Sequence, residues 1–235
     1  MKTKEEKDDL ASCQSTLNPS KWNGRTIEID DAGTGDLVGN AFIGFRDTQN
    51  GKILFQSVPV GLYNQDNKDD NRANKHIVEA VKKGLKLLNH KKGDRILLCR
   101  GDCFNLVREY FNENEIYYEP AIIEGVLQEA VEGRYIHHLR KLGIHSRKLT
   151  IEAGAERYFI SFNWVCRDFP NRERFVKSGF PSWKKKWRKI ALKRYKSYHS
   201  NKFLGRHISK KDKNLNKEYV LEKPISVRDS SSKRQ

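Results

Sequence analysis

Long apolar runs are missing from this sequence, and so is the apolar core of a secretory signal. No stretch of about 18 apolar residues occurs in the 235-residue chain, so no transmembrane helix is expected. The N-terminal segment MKTKEEKDDLASCQ contains no apolar stretch, which argues against a signal peptide. We therefore predict a cytoplasmic protein that has no membrane partner.

Cysteine is scarce and shows no metal-binding pattern. Three residues separate Cys99 from Cys103, and no second close Cys/His pair completes a zinc-finger spacing. We expect the thiols to be reduced and to pack as small buried residues. A phosphate-binding P-loop motif is also missing, and no order of Ser, His and Asp indicates a hydrolase triad.

Acidic residues are the minority charge. The chain has 46 Lys and Arg against 30 Asp and Glu, for a net charge of +16. Between residues 172 and 217, roughly seventeen Lys and Arg accompany two acids, Glu173 and Asp212. Cations that neutralise phosphates release condensed counterions, so this excess favours a polyanion. The predicted partner is nucleic acid: RNA, an RNA–DNA hybrid or DNA.

Apolar periodicity and composition divide the chain into four stretches. Residues 1–24 show no periodicity and predict a flexible N-terminal segment. Residues 25–170 predict one domain, residues 171–217 a basic, aromatic-rich helical extension, and residues 218–235 a disordered tail.

Hydrophobic patterns within the domain predict alternating strands and helices. In chain order they are strands Thr26–Asp30, Ala41–Phe45 and Ile53–Val60, a helix from about Lys75 to Asn89, strand Arg95–Cys99, helix Asp102–Phe111, strand Tyr117–Tyr118, a long helix Ala121–Leu142 and strand Arg157–Val165. A meander followed by α/β units implies a mixed sheet with helices covering its faces.

The segment IEIDDAGTGDLVG, residues 27–39, ends a strand in two acids. A carboxylate at a strand end is geometrically fixed, as a metal ligand must be. Hard cations such as Mg²⁺ and Mn²⁺ prefer carboxylate oxygens, and glycines let a backbone lie close to a phosphate or sugar. The alternative is an ordinary acidic turn with glycine, which is a common structure.

Part of that segment, IDDAGTGDLVG, resembles the IDEAGRGPLVG motif of the type 2 ribonuclease H family. A later segment, EPAIIEGVLQEAVEGRYIHHLRKLG, more distantly resembles a later helix of that family, and the likeness spans roughly residues 26–143. It implies a ribonuclease H-like mixed sheet, a three-stranded antiparallel meander plus α/β units, here with a basic helical C-terminal extension. The RuvC-type Holliday-junction resolvase, which has the same fold and a similar first strand, is the alternative.

The resemblance also implies a metal site for hydrolysis of phosphodiester bonds. In that family, carboxylates hold two metal ions, of which one activates water and the other stabilises the leaving oxygen. Asp30 matches the first catalytic Asp, and Asp31 stands where the family has Glu. Gly33, Thr34 and Gly35 stand where a Gly-Arg-Gly reads the 2′-hydroxyl of a ribonucleotide.

Two further acids are expected from later elements. The family's Asp-Gly pair falls on Arg100-Gly101, so Asp102 is the candidate ligand there; its alternative role is to cap the following helix. The family's last acid falls on Gly133. We prefer Glu124 as the fourth ligand because its neighbours are apolar, and a buried carboxylate needs a partner. Glu129 and Glu132 are interpreted as a solvated helix face.

Aromatic and basic residues alternate in the extension, where rings could stack on bases while cations hold the backbone. Packing of the rings against the domain is the alternative. The candidate nucleic-acid contacts, beyond Gly33, Thr34 and Gly35, are Arg100, Trp183, Lys184, Lys185, Lys186, Trp187, Arg188, Lys189, Lys193 and Arg194.

Three hypotheses follow. The first is a nuclease dependent on Mg²⁺ or Mn²⁺, with two ions held by Asp30, Asp31, Asp102 and Glu124. The second is a non-catalytic nucleic-acid-binding protein of the same fold. The third is an enzyme or interaction module that uses the acidic turn differently and binds no nucleic acid.

Overall fold

A computed structural model describes residues 24–64, 71–151 and 154–203 of the chain. The predicted tail and nearly all of the predicted N-terminal segment lie outside these residues. Within the described ranges, no helix is both long and apolar enough to cross a membrane.

A five-stranded mixed sheet forms the centre of the protein. Its strands are β1 (Thr26–Ala32), β2 (Ala41–Asp47), β3 (Ile53–Val58), β4 (Arg95–Cys99) and β5 (Glu119–Ala121), and their spatial order is β3-β2-β1-β4-β5. β1, β2 and β3 pair antiparallel, whereas β4 runs parallel to both β1 and β5. This topology confirms the predicted ribonuclease H-like fold, a meander joined to α/β units.

Helices cover both faces of the sheet. They are α1 (Arg72–Leu87), α2 (Asn105–Glu113), α3 (Val126–Lys141), α4 (Ala155–Arg167), the short α5 (Phe169–Arg172) and α6 (Arg188–Phe203). α1 and α2 share one hydrophobic cluster with β1, β2 and β4, while α3, α4 and α6 share a second cluster. A π-helical turn, Trp183–Trp187, leads into α6, so the basic extension is helical from Trp183 to Phe203, whereas Val176 forms an isolated β-bridge with Val38.

The strand predicted over Arg157–Val165 is wrong, because this segment lies within α4. Its residues are rich in β-formers, but Arg157, Ser161 and Val165 are buried at helical spacing. Burial of that face against the second cluster overrides local β-propensity.

Three other elements begin at different residues from those predicted, because the turns before them were not predicted. The strand predicted at Tyr117-Tyr118 lies at Glu119–Ala121 instead. The helix predicted from Ala121 begins only at Val126, because β5 uses Ala121 and Gly125 adopts a positive φ of 70° just before the helix. Residues 102–104 form a 3-10 turn, so the predicted helix over Asp102–Phe111 begins at Asn105.

Candidate functional site

Parallel pairing of β1 with β4 places an acid beside a thiol. The last register pair of these central strands is Ile29 with Leu98, so Asp30 and Cys99 come next on the two strands. One ligand atom from each of Asp30, Asp31 and Cys99 lies within 4.8 Å of the others. These three residues, the β1–β4 donor group, lie at the carboxyl end of β4.

The glycine turn after β1 holds Asp31 in place. The Thr34 hydroxyl donates a hydrogen bond to the Asp31 carboxylate. Gly33 has a φ of +80°, and a Cβ there would lie 2.6 Å from the ring of Tyr135. Gly33 is therefore required by backbone conformation and by packing against α3, whatever else the turn binds.

Asp30 differs from the other buried aspartates in having no cationic partner. Asp36, Asp47 and Asp94 each pair with an arginine, whereas Asp30, only 6% exposed, forms no ion pair with any residue in the described ranges. The nearby Cys99 thiol and Asp31 backbone act in the opposite direction to burial and favour the ionised form, which lowers the pKa of Asp30. Burial, reinforced by the nearby charges of Asp31 and Glu132, raises the pKa of Asp30 to about 6.

A second group of charges lies next to the first, and its members neutralise one another. The Arg157 guanidinium lies 3.0 Å from Asp36 and 2.6 Å from Glu132. Lys177, fully buried, donates to the backbone carbonyls of Gly33 and Asp36, in the second case at 2.9 Å. We call Asp36, Glu132, Arg157 and Lys177 the Arg157 network; it fixes the turn that follows β1.

Glu132 is a site residue that sequence reasoning interpreted as a solvated face. It is half-buried on α3, pairs with Arg157 and is close enough to Asp30 to raise the pKa of that carboxyl. The sequence contained one indication of this role: Glu132 immediately precedes Gly133, the position at which the resemblance places the family's last acid.

The other two predicted ligands do not join the β1–β4 donor group. Asp102 is exposed in the 3-10 turn after β4, and the N-cap position of α2 falls on Phe104, so Asp102 does not cap that helix. Glu124 is exposed in the loop before α3. The reason for choosing Glu124, burial among apolar neighbours, is therefore wrong.

Two thiols border the donor group. A Cβ on Gly101 would lie 3.1 Å from an Asp31 carboxylate oxygen, 3.5 Å from the Cys103 sulfur and 3.9 Å from the Cys99 sulfur. Burial, reinforced by the charge of Asp31, raises the pKa of the Cys103 thiol. Burial raises the pKa of Cys99 to about 12, and the adjacent Asp30 carboxylate adds to the shift.

The rings of the extension are buried, which corrects their assignment as stacking residues. Trp183 and Trp187 are 1% and 5% exposed and pack against Phe162 of α4. Their ring faces are not accessible to a base, and the packing alternative holds for both.

The predicted cations around those rings mostly face solvent. Arg188 pairs with Glu173 at 2.5 Å, Lys186 lies over the Trp187 ring, and Arg194 donates to the Asn163 side chain at 2.9 Å. The exposed residues also include Gly35 and Arg100, near the donor group, and Lys184, Lys185, Lys189 and Lys193 on the extension.

The strand order β3-β2-β1-β4-β5, with an antiparallel meander joined to parallel strands, is that of a ribonuclease H-like fold, and Asp30 and Asp31 lie near the end of its first strand. No protein-family model matches the sequence, and no curated protein matches it. A structure similar to this one is the crystal structure of Bst-RNase HIII in complex with Mn²⁺, with 12% sequence identity, 82% of each chain covered and a TM-score of 0.48.

Proposed function

We propose that the protein is a divalent-metal-dependent nuclease that hydrolyses phosphodiester bonds in RNA, RNA–DNA hybrids or structured DNA. The observation that carries this proposal is the buried Asp30 beside Asp31, which has no ion-pair partner among the described residues. Burying a carboxylate costs several kcal/mol unless a cation or hydrogen-bond donors compensate it. Every other buried aspartate in the described ranges has an arginine, so a bound cation is the natural partner for this one.

Asp30, Asp31 and Cys99 would hold the metal ion. When bound, a divalent ion can lower the pKa of its water and stabilise charge on a phosphoryl oxygen. The three converging donors suffice for one ion, whereas the two-ion site implied by the resemblance needs more carboxylates than this group offers. The Thr34 hydroxyl orients the Asp31 carboxylate. Lys177 donates to the backbone carbonyl of Asp36 and thereby fixes the turn that follows β1.

The exposed lysines of the extension would bind the phosphate backbone. Lys184, Lys185, Lys189 and Lys193 are solvent-exposed on the π-helical turn and α6. Ion pairing with phosphates positions a duplex but carries no sequence information. We therefore expect affinity to depend steeply on salt and weakly on sequence.

Cleavage assays on the Asp30→Asn variant test the proposal. Purified full-length protein is given three substrates with Mg²⁺, Mn²⁺ or Zn²⁺: an RNA–DNA hybrid, a DNA duplex with one ribonucleotide, and a four-way DNA junction. The first two represent type 2 ribonuclease H and the third the RuvC-type alternative. We expect cleavage of at least one substrate, reduced about 1,000-fold by Asp30→Asn.

The matched control is Glu109→Gln, which removes an exposed carboxylate from α2. It should cleave at the wild-type rate. Equal rates for wild type and a correctly folded Asp30→Asn protein would refute the proposed site.

A second candidate is a nucleic-acid-binding protein without catalysis. It is favoured by the small number of converging carboxylates and by the commitment of Glu132 to Arg157. Salt-sensitive binding of all three substrates, with no cleavage in any metal, would support this candidate against the first.

A further inference from the structure

The β1–β4 donor group is chemically mixed. β4 brings a cysteine, not a carboxylate, to the position beside Asp30, although the family resemblance implies a third acid from this strand. The arginine after it, Arg100, is exposed, and Asp102 lies beyond the group. The donors that meet here are thus two carboxylates and one thiol.

This donor set does not suit Mg²⁺. Mg²⁺ requires near-octahedral oxygen ligands and does not favour sulfur. Zn²⁺ takes four ligands, binds thiolate sulfur at about 2.3 Å and accepts carboxylate oxygens as well. The three ligand atoms lie within 4.8 Å of one another, so the side chains must move closer together to bind one ion at a common centre.

A second thiol, Cys103, lies near the donor group. Its sulfur and that of Cys99 would lie 3.5 Å and 3.9 Å from a Cβ at Gly101, so both thiols border this position. The absence of a side chain at Gly101 keeps this space open, since a Cβ would lie 3.1 Å from Asp31. Cys103 lies outside the three donors that are within 4.8 Å of one another, so Cys99 is the one thiol of the group.

We propose that the β1–β4 donor group is a mixed carboxylate–thiolate site that selects Zn²⁺, or another thiophilic divalent cation, over Mg²⁺. On binding, the Cys99 thiol loses its proton to solvent and the sulfur bonds the metal, with no change of oxidation state. This inference deepens the proposed function by naming the class of metal, but binding at the site does not require catalysis.

Metal titration of the reduced full-length protein tests the proposal without reference to activity. Cd²⁺ bound by thiolate gives an ultraviolet charge-transfer band, and Co²⁺ in a tetrahedral sulfur-containing site gives intense visible bands. We expect both signals in the wild type and in Cys166→Ala, which removes a buried thiol from the second hydrophobic cluster. Cys99→Ser should lose the bands, and its melting curve shows whether it is folded.

A conversion variant tests selectivity directly. Cys99→Asp replaces the sulfur with a third carboxylate, so the ratio of Zn²⁺ to Mg²⁺ affinity measured by calorimetry should fall more than about tenfold. Charge-transfer bands that persist in Cys99→Ser, or Mg²⁺ binding as tight as Zn²⁺ binding in the wild type, would overturn the proposal. Zn²⁺ binding without cleavage would refute the nuclease and leave the metal site standing.

Discussion

Two groups of buried acids lie side by side in this protein and are neutralised in different ways. In the Arg157 network the chain supplies its own cations, because Arg157 holds Asp36 and Glu132 while Lys177 lies over the turn. In the β1–β4 donor group Asp30 and Asp31 lie together with a neutral thiol, and no described lysine, arginine or histidine pairs with Asp30.

This difference distinguishes buried acids that stabilise the fold from buried acids that are typical of a ligand-binding site. A buried carboxylate that has its own arginine is explained by the fold alone, since the pair stabilises a loop or a helix contact. A buried carboxylate without one is destabilising in the empty protein, and such a cost is typical of sites that bind a ligand. The pKa of Asp47, lowered because backbone hydrogen bonds and Arg25 outweigh its burial, and that of Asp30, raised to about 6, show the same contrast.

The largest expected effect comes from removing the acid of the paired group. Asp36→Asn should destabilise the protein by about 3 kcal/mol, because Arg157 and Lys177 would lose the buried charge they face. Asp30→Asn, in metal-free protein at pH 7, should instead stabilise it by up to about 2 kcal/mol. Urea unfolding of both variants in a chelator measures the two values, and a loss of stability in both would abolish the distinction.

How far the sequence predicts this arrangement differs between the two groups. β1, the acids at its end and β4 (Arg95–Cys99) follow from short apolar runs, so the fold and Asp30 were predictable. The Arg157 network was not, because Arg157 lies in a segment whose β-formers predicted a strand, and pairing across 121 residues with Asp36 has no local signal. The role of Cys99 was also hidden, since its partners are carboxylates on another strand and not nearby cysteines.

A smaller effect is the pH dependence of the metal-free protein. The pKa of Asp30 is raised in the folded state from 3.8 to about 6, so between these values the folded protein binds more protons than the unfolded chain. The free energy of unfolding should therefore fall as pH rises from about 4 to about 6, by at most about 3 kcal/mol from this residue.

The difference between wild type and Asp30→Asn isolates this contribution, because all other groups titrate in both proteins. Stability is measured by urea unfolding at several pH values, first in chelator and then with Zn²⁺. Bound cation should reverse the trend, since it favours the ionised carboxylate and stabilises only the folded state. A difference between the two proteins that does not vary between pH 4 and pH 6 would mean that Asp30 is compensated within the fold.

The smallest effect tests whether the two groups are electrostatically coupled. Glu132 belongs to the Arg157 network, yet its charge also raises the pKa of Asp30. Glu132→Gln should cost only about 1 kcal/mol of stability, because the carboxylate is 33% exposed and Arg157 keeps Asp36. The same change should lower the pKa of Asp30, measured by carboxyl NMR titration, whereas Glu129→Gln, which removes an exposed charge one turn earlier on α3, should leave it unchanged. If Glu132→Gln shifts the pKa of Asp30 and Glu129→Gln does not, the Arg157 network sets the charge of the β1–β4 donor group. It then also sets the affinity of that group for a cation.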